Sequence, residues 1–65
     1  MENLSQDNVR DRLIKYVKDN GSKYYHISHS VGIPHYIMSR WKNKHINLWQ
    51  SSLENVDKYL VEKGY

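Results

Sequence analysis

The sequence predicts an all-α domain, a compact bundle of four to five short helices. Three observations predict it. Apolar residues recur at three- and four-residue spacing in separate stretches. Those stretches are closed by Asn20-Gly21, by Gly32 and by Gly64, residues that tolerate the left-handed backbone ending a helix. No segment alternates with period two for long enough to make a strand.

The helices follow in order. The first spans about residues 8–20. Val9, Leu13 and Val17 recur every four residues, and Ile14 and Tyr16 widen the stripe. Asp7 or Asn8 can cap it. Ser22 can cap a second, short helix over about 23–31, with Ile27 and Val31 one turn apart. Gly32 stops it. Pro34 then suits the first turn of a third helix over about 34–43, because its missing N–H is not needed there. Met38 and Trp41 share one side of that helix, and His35, Tyr36, Ser39 and Arg40 lie mostly on the other. Residues 43–47 read as a loop. Ser51 or Ser52 can cap a last helix over about 52–63, whose stripe is Leu53, Val56 and Leu60 with Tyr59 beside it.

Composition bounds the function. Hydrophobic residues are 38% of the 65 and charged residues 26%, a balance that suits one folded domain over residues 1–65 rather than a disordered tail. A chain this short buries only about 60% of its unfolded surface, which leaves little room for a water-excluding catalytic cleft. The chain has no cysteine, so thiolate zinc sites and Cys nucleophiles are excluded. His26 and His29 sit three apart on one helix, but a structural zinc wants four ligands and no partners stand near in sequence. Ser28 and His29 are neighbours on a helix and point different ways, so they do not converge as a catalytic pair need do. The expectation is no enzyme activity, no metal, no cofactor and no small-molecule ligand.

Charge is distributed unevenly. Residues 22–46 carry Lys23, Arg40, Lys42 and Lys44, all four histidines and no carboxylate. The segments on either side hold every Asp and Glu and are close to neutral overall. A central segment without acids is what a polyanion-facing surface needs, and it is equally what an ordinary solvated basic face looks like.

The same segment is a helix, a short turn containing Gly32 and a second helix opened by Pro34, which is the helix-turn-helix arrangement. Ile27, Val31, Ile33, Met38 and Trp41 supply contacts between the two helices, and Ser28 is small enough for the tightest part of the crossing.

On these residues the chain resembles the phage repressor and Cro (XRE-type) helix-turn-helix family. The likeness rests on the small residue at Ser28, the turn at Gly32-Ile33 and the run Met38-Ser39-Arg40-Trp41. Asn43-Lys44 stands where that family usually has Asn-Gly, and residues 52–60 are similar to the helix that follows. It covers about residues 8–62 and implies a lambda-repressor-like fold. It also implies a transcriptional regulator, of the Cro-like repressor kind and of phage or mobile-element type, that binds sequence-specific sites on double-stranded DNA. The third helix would read the major groove. His35, Tyr36, Ser39 and Arg40 fall where the family reads bases, and Arg40 can pair with the O6 and N7 of guanine. Lys23, Tyr24, Lys42, Asn43 and Lys44 would hold phosphates and set register. Ile37 can touch a thymine methyl or pack against Trp49.

One helix in one groove binds weakly, so a homodimer on a two-fold operator is expected, with Trp49, Tyr59 and Tyr65 as candidate dimer contacts. Two other readings compete. One is a protein-binding module, an antirepressor or host-factor inhibitor, anchored by the tyrosines and Trp49. The other is an excisionase-like DNA-architectural factor, against which stand the full helices before and after the motif. The start Met1 to Asn8 is polar and lacks the pattern of a signal peptide, and no stretch is an apolar span. Both point to a cytoplasmic protein without a membrane partner, nucleoid-associated when bound to DNA.

Overall fold

Ser5 opens the first helix. Its backbone is extended and its hydroxyl oxygen accepts from the Asn8 amide at 3.2 Å, which satisfies one of the N–H groups that a helix start leaves free. The computed structural model describes residues 4–65, and α1 occupies Gln6–Asn20. The helix thus begins before the expected residue 8, and the cap is Ser5 rather than Asp7 or Asn8. Those two are already helical, whereas the cap residue itself takes a non-helical backbone. Gly21 closes α1 with φ 64°.

Next come α2 (Tyr24–Val31), α3 (His35–Lys42) and α4 (Gln50–Glu62). No strand occurs among the described residues. The boundaries of 23–31 and 34–43 hold to within a residue. Lys23, not Ser22, is the extended residue before α2, and no side chain caps it. Pro34 stands just outside α3 in extended conformation, and its carbonyl accepts from the Ile37 and Met38 amides at 3.0 Å each. The last helix corrects the expectation by about half a turn. It starts at Gln50 behind Trp49, so Ser51 and Ser52 lie inside its first turn and cap nothing. The Trp49 carbonyl takes the Leu53 amide at 2.9 Å, and no side chain caps this end either.

Three turns end in the same closure. Gly32 (φ 76°) ends α2, with the Ile33 amide reaching back to Ser28 at 2.9 Å. Gly64 (φ 85°) ends the run after α4, with Tyr65 reaching back to Leu60 at 2.8 Å. After α3 the left-handed residue is Lys44 (φ 67°), and His45 reaches back to Arg40 at 2.9 Å. The turn therefore keeps the path that glycine usually supplies, even though a lysine has to adopt it.

The helices pack α1 on α4 and α2 on α3, with α4 also touching α2 and α1 touching α3. Between them lies one core of Val9, Leu13, Tyr16, Ile27, Ile33, Met38, Trp41, Leu48, Leu53, Val56 and Leu60. Ser28 is buried among them and its hydroxyl donates to the Tyr25 carbonyl at 2.8 Å. Val31 is only half-buried, and Ile14, expected to widen the α1 stripe, faces out.

Two polar devices fix α3 within this core. The Gln6 carboxamide oxygen accepts from the Trp41 indole N–H at 2.9 Å and the Leu48 amide at 3.1 Å, while its nitrogen donates to the Leu48 carbonyl at 3.0 Å. Arg10 is 3% exposed. Its Nε donates to the Trp41 carbonyl at 2.7 Å, and its guanidinium lies 5.3 Å from the Trp41 ring centroid. Both residues hold the end of α3 from α1, so the orientation of α3 is set from behind, leaving its other face uncovered.

Candidate nucleic-acid interface

An eight-residue helix can present only a few side chains, and burial of Met38 and Trp41 decides which. With those two turned inward, His35, Tyr36 and Arg40 are exposed, and Ser39 is half-buried beside them. Tyr36 is 63% exposed. His35 and Ser39, and likewise Tyr36 and Arg40, stand one turn apart, the spacing that places residues on one helix face. The four side chains expected to read bases are therefore brought together along α3.

The phosphate-holding set divides by position. Lys23 lies at the start of α2, and Tyr24 is the first residue of that helix. Lys42 closes α3, with Asn43 and Lys44 following it. The two ends meet, because the Lys42 ammonium sits 4.6 Å from the Tyr24 ring centroid. That cation–π contact ties the start of α2 to the end of α3. Burial pushes the Tyr24 phenol above its ordinary pKa. Asn43 and Lys44 are exposed, and Lys44 makes the left-handed turn that ends α3.

Electrostatics separates this face from the rest. Among the described residues the ion pairs are Arg10–Asp7 and Arg12–Asp57, both at 2.6 Å and both on α1 or between α1 and α4. Neither involves Lys23, Arg40, Lys42 or Lys44. One acid, Glu62, lines a groove with α2, and it does so at the far end of that helix, beside Ser30 and Val31. Unopposed cations on an uncovered face make a positive surface that can take a polyanion without first breaking internal pairs.

The three aromatics offered as dimer contacts have different fates. Trp49 is 84% exposed. It borders an apolar groove of about 240 Å³ lined by Ile33, Pro34, Ile37, Ile46 and Leu48. Ile37 accordingly turns toward the Trp49 side and is half-buried there. Tyr59 and Tyr65 instead pack edge-on against Tyr16, with centroids at 5.8 and 5.2 Å. Tyr65 is further held by Asp19, to which its hydroxyl donates at 2.9 Å, and its carbonyl accepts from Arg12 at 2.9 Å.

Tyr25 also belongs to the face, although its position in the sequence does not single it out. It is 61% exposed, off the inward register of Ile27 and Ser28, and touches His35 of α3. The available signal was an aromatic out of phase with the apolar stripe inside the acid-free segment. Arg10 was equally hidden, since a charge on an amphipathic helix normally reads as solvated.

No protein-family model, curated protein or solved structure matches this chain.

Proposed function

We propose that this protein is a sequence-specific double-stranded DNA-binding transcriptional regulator, acting as a Cro-like repressor. In this reading α2 and α3 work as a helix-turn-helix and α3 enters the major groove. The observation that carries it is the uncovered face of α2 and α3. There His35, Tyr36 and Arg40 are exposed, and Lys23, Arg40, Lys42 and Lys44 have no acid partner among the described residues.

Each part has a physical role. Arg40 offers its planar fork to guanine, with Ser39 and Tyr36 beside it. The Tyr24–Lys42 pair sits where the backbone of one strand would pass, and Lys23 and Lys44 flank it. The unsatisfied amides at the start of α2 have no side-chain cap to displace and favour a phosphate. The second copy expected on a two-fold operator would meet this one through Trp49 and its apolar groove, since Tyr59 and Tyr65 are engaged within the chain.

Anisotropy of a labelled operator selected from random duplexes tests the reading. Arg40→Ala should cost roughly 1–3 kcal/mol and relax one base position. Lys58→Ala, on α4, should leave affinity unchanged. Equal losses for both variants, or selection that yields no preferred sequence, would refute base reading by α3.

A further inference from the structure

Tyr25 is the one large exposed aromatic of α2, and its ring meets two imidazoles. It stands edge-on to His26 of its own helix, with centroids 5.7 Å apart and planes at 80°. It also stands against His35, across the turn, at 5.9 Å and 62°. His35 is the first residue of α3 and is exposed. Among the described residues no side-chain hydrogen bond or ion pair involves His35, and its imidazole packs against the Tyr25 ring.

We propose that Tyr25 is a specificity-determining positioning residue, which holds the His35 imidazole in its base-facing orientation before DNA arrives. This rests on the DNA-binding reading of α3 and deepens it. An exposed side chain that must be frozen on binding costs affinity, and restraining it beforehand removes part of that cost. Edge-on aromatic pairs have the geometry that a ring quadrupole favours. The effect falls on the base pair beside His35 and not on overall charge, because Tyr25 is neutral. It also crosses from α2 to α3, so the orientation of the reading residue depends on the closure of the turn at Gly32.

The test joins a DNA-free measurement to a binding cycle on the full chain. In the free protein, Tyr25→Leu should remove the ring-current shift from the His35 imidazole protons, and Tyr25→Phe should keep it. On the selected operator, Tyr25→Leu should weaken binding about 3- to 10-fold, as loss of an aromatic pair contact does. Tyr25→Phe should retain wild-type affinity. In a His35→Ala background, Tyr25→Leu should have no further effect. Independent, multiplying losses in the cycle would overturn the positioning role, as would a His35 ring shift unchanged by Tyr25→Leu. Arg40→Ala run in parallel separates the two failures. If it still relaxes one base position while the Tyr25 cycle is additive, DNA reading stands and the positioning role is wrong. If wild type shows no sequence preference at all, both are wrong.

Discussion

Replacing Arg10 by alanine removes the clamp that holds α3 from behind. The losses can be worked from the contacts. The Nε bond to the Trp41 carbonyl is short and buried, and a hydrogen bond from a charged donor contributes about 1.5–3 kcal/mol. The upper end is not reached, because the Lys44 amide also donates to that carbonyl at 3.0 Å and would remain. The guanidinium over Trp41 adds about 1 kcal/mol as a desolvated cation–π contact. The pair with Asp7 adds little, since the Asp7 side chain is 81% exposed and water screens it. The expected cost is about 3 kcal/mol. A chain of this size has a total stability of only about 3–10 kcal/mol, so the variant should lose a large share of it. Each kcal/mol moves the midpoint of a small domain by about 4–8 °C, so thermal unfolding followed by circular dichroism should shift down by more than about 10 °C. Asp7→Ala should cost under about 0.5 kcal/mol, and Arg10→Met should keep part of the packing while losing the bond. A cost below about 1 kcal/mol for Arg10→Ala, or equal costs for Arg10→Ala and Asp7→Ala, would refute this account of how α3 is fixed.

Other consequences follow from the turns and the tyrosines. Lys44→Gly should stabilise the chain by about 0.5–1 kcal/mol in urea unfolding, because the left-handed backbone is then free of strain. The same variant should bind DNA less tightly at low salt and lower the salt slope by about one. Alkaline unfolding is also expected. The Tyr59 phenol is pushed up to about 12, first by hydrogen bonding with Tyr16 and then by burial. Tyr65 is raised chiefly by its bond to Asp19, and Tyr24 by burial. Raised phenols bind their protons more tightly in the folded chain, so their stabilisation is whole below about pH 10 and is lost as pH rises toward 12. Tyr16 is lowered, chiefly by Tyr59, and offsets part of this loss. Urea midpoints at pH 9 and 11 should therefore fall with pH. In Tyr59→Phe the fall should be smaller.

Much of the fold was legible because period and punctuation agreed. Val9 and Leu13, Ile27, Met38 and Trp41, and the Leu53, Val56 and Leu60 stripe all lie in the core, and Gly21, Gly32 and Gly64 close their helices as expected. Helix starts were harder. Ser5, Asp7 and Asn8 are all good caps by chemistry, and long-range bonds from Gln6 to Leu48 and Trp41 decide among them. The start of α4 has no side-chain cap, so Ser51 and Ser52 drew the boundary too late. On the candidate site, the acid-free segment coincides with α2, α3 and the turns beside them. Local pattern does not show which neighbours each side chain meets. The Lys42–Tyr24 contact, the Tyr25–His35 contact and the burial of Arg10 all join separate helices, and they exist only once the helices are packed.

If α3 faces DNA, a duplex should perturb its amides. Amide NMR titration of the full chain with a generic duplex at low salt, repeated at high salt, tests it most directly. Four to six phosphates neutralised per subunit pair would give a salt slope of roughly −4 to −5 on a log–log plot. Shifts are expected at Lys23, at His35 through Arg40 and at Lys44, and they should vanish as salt is added. Absence of shifts at low salt would contradict that placement of α3. So would shifts confined to Trp49 and α4, which would direct attention to a protein partner instead.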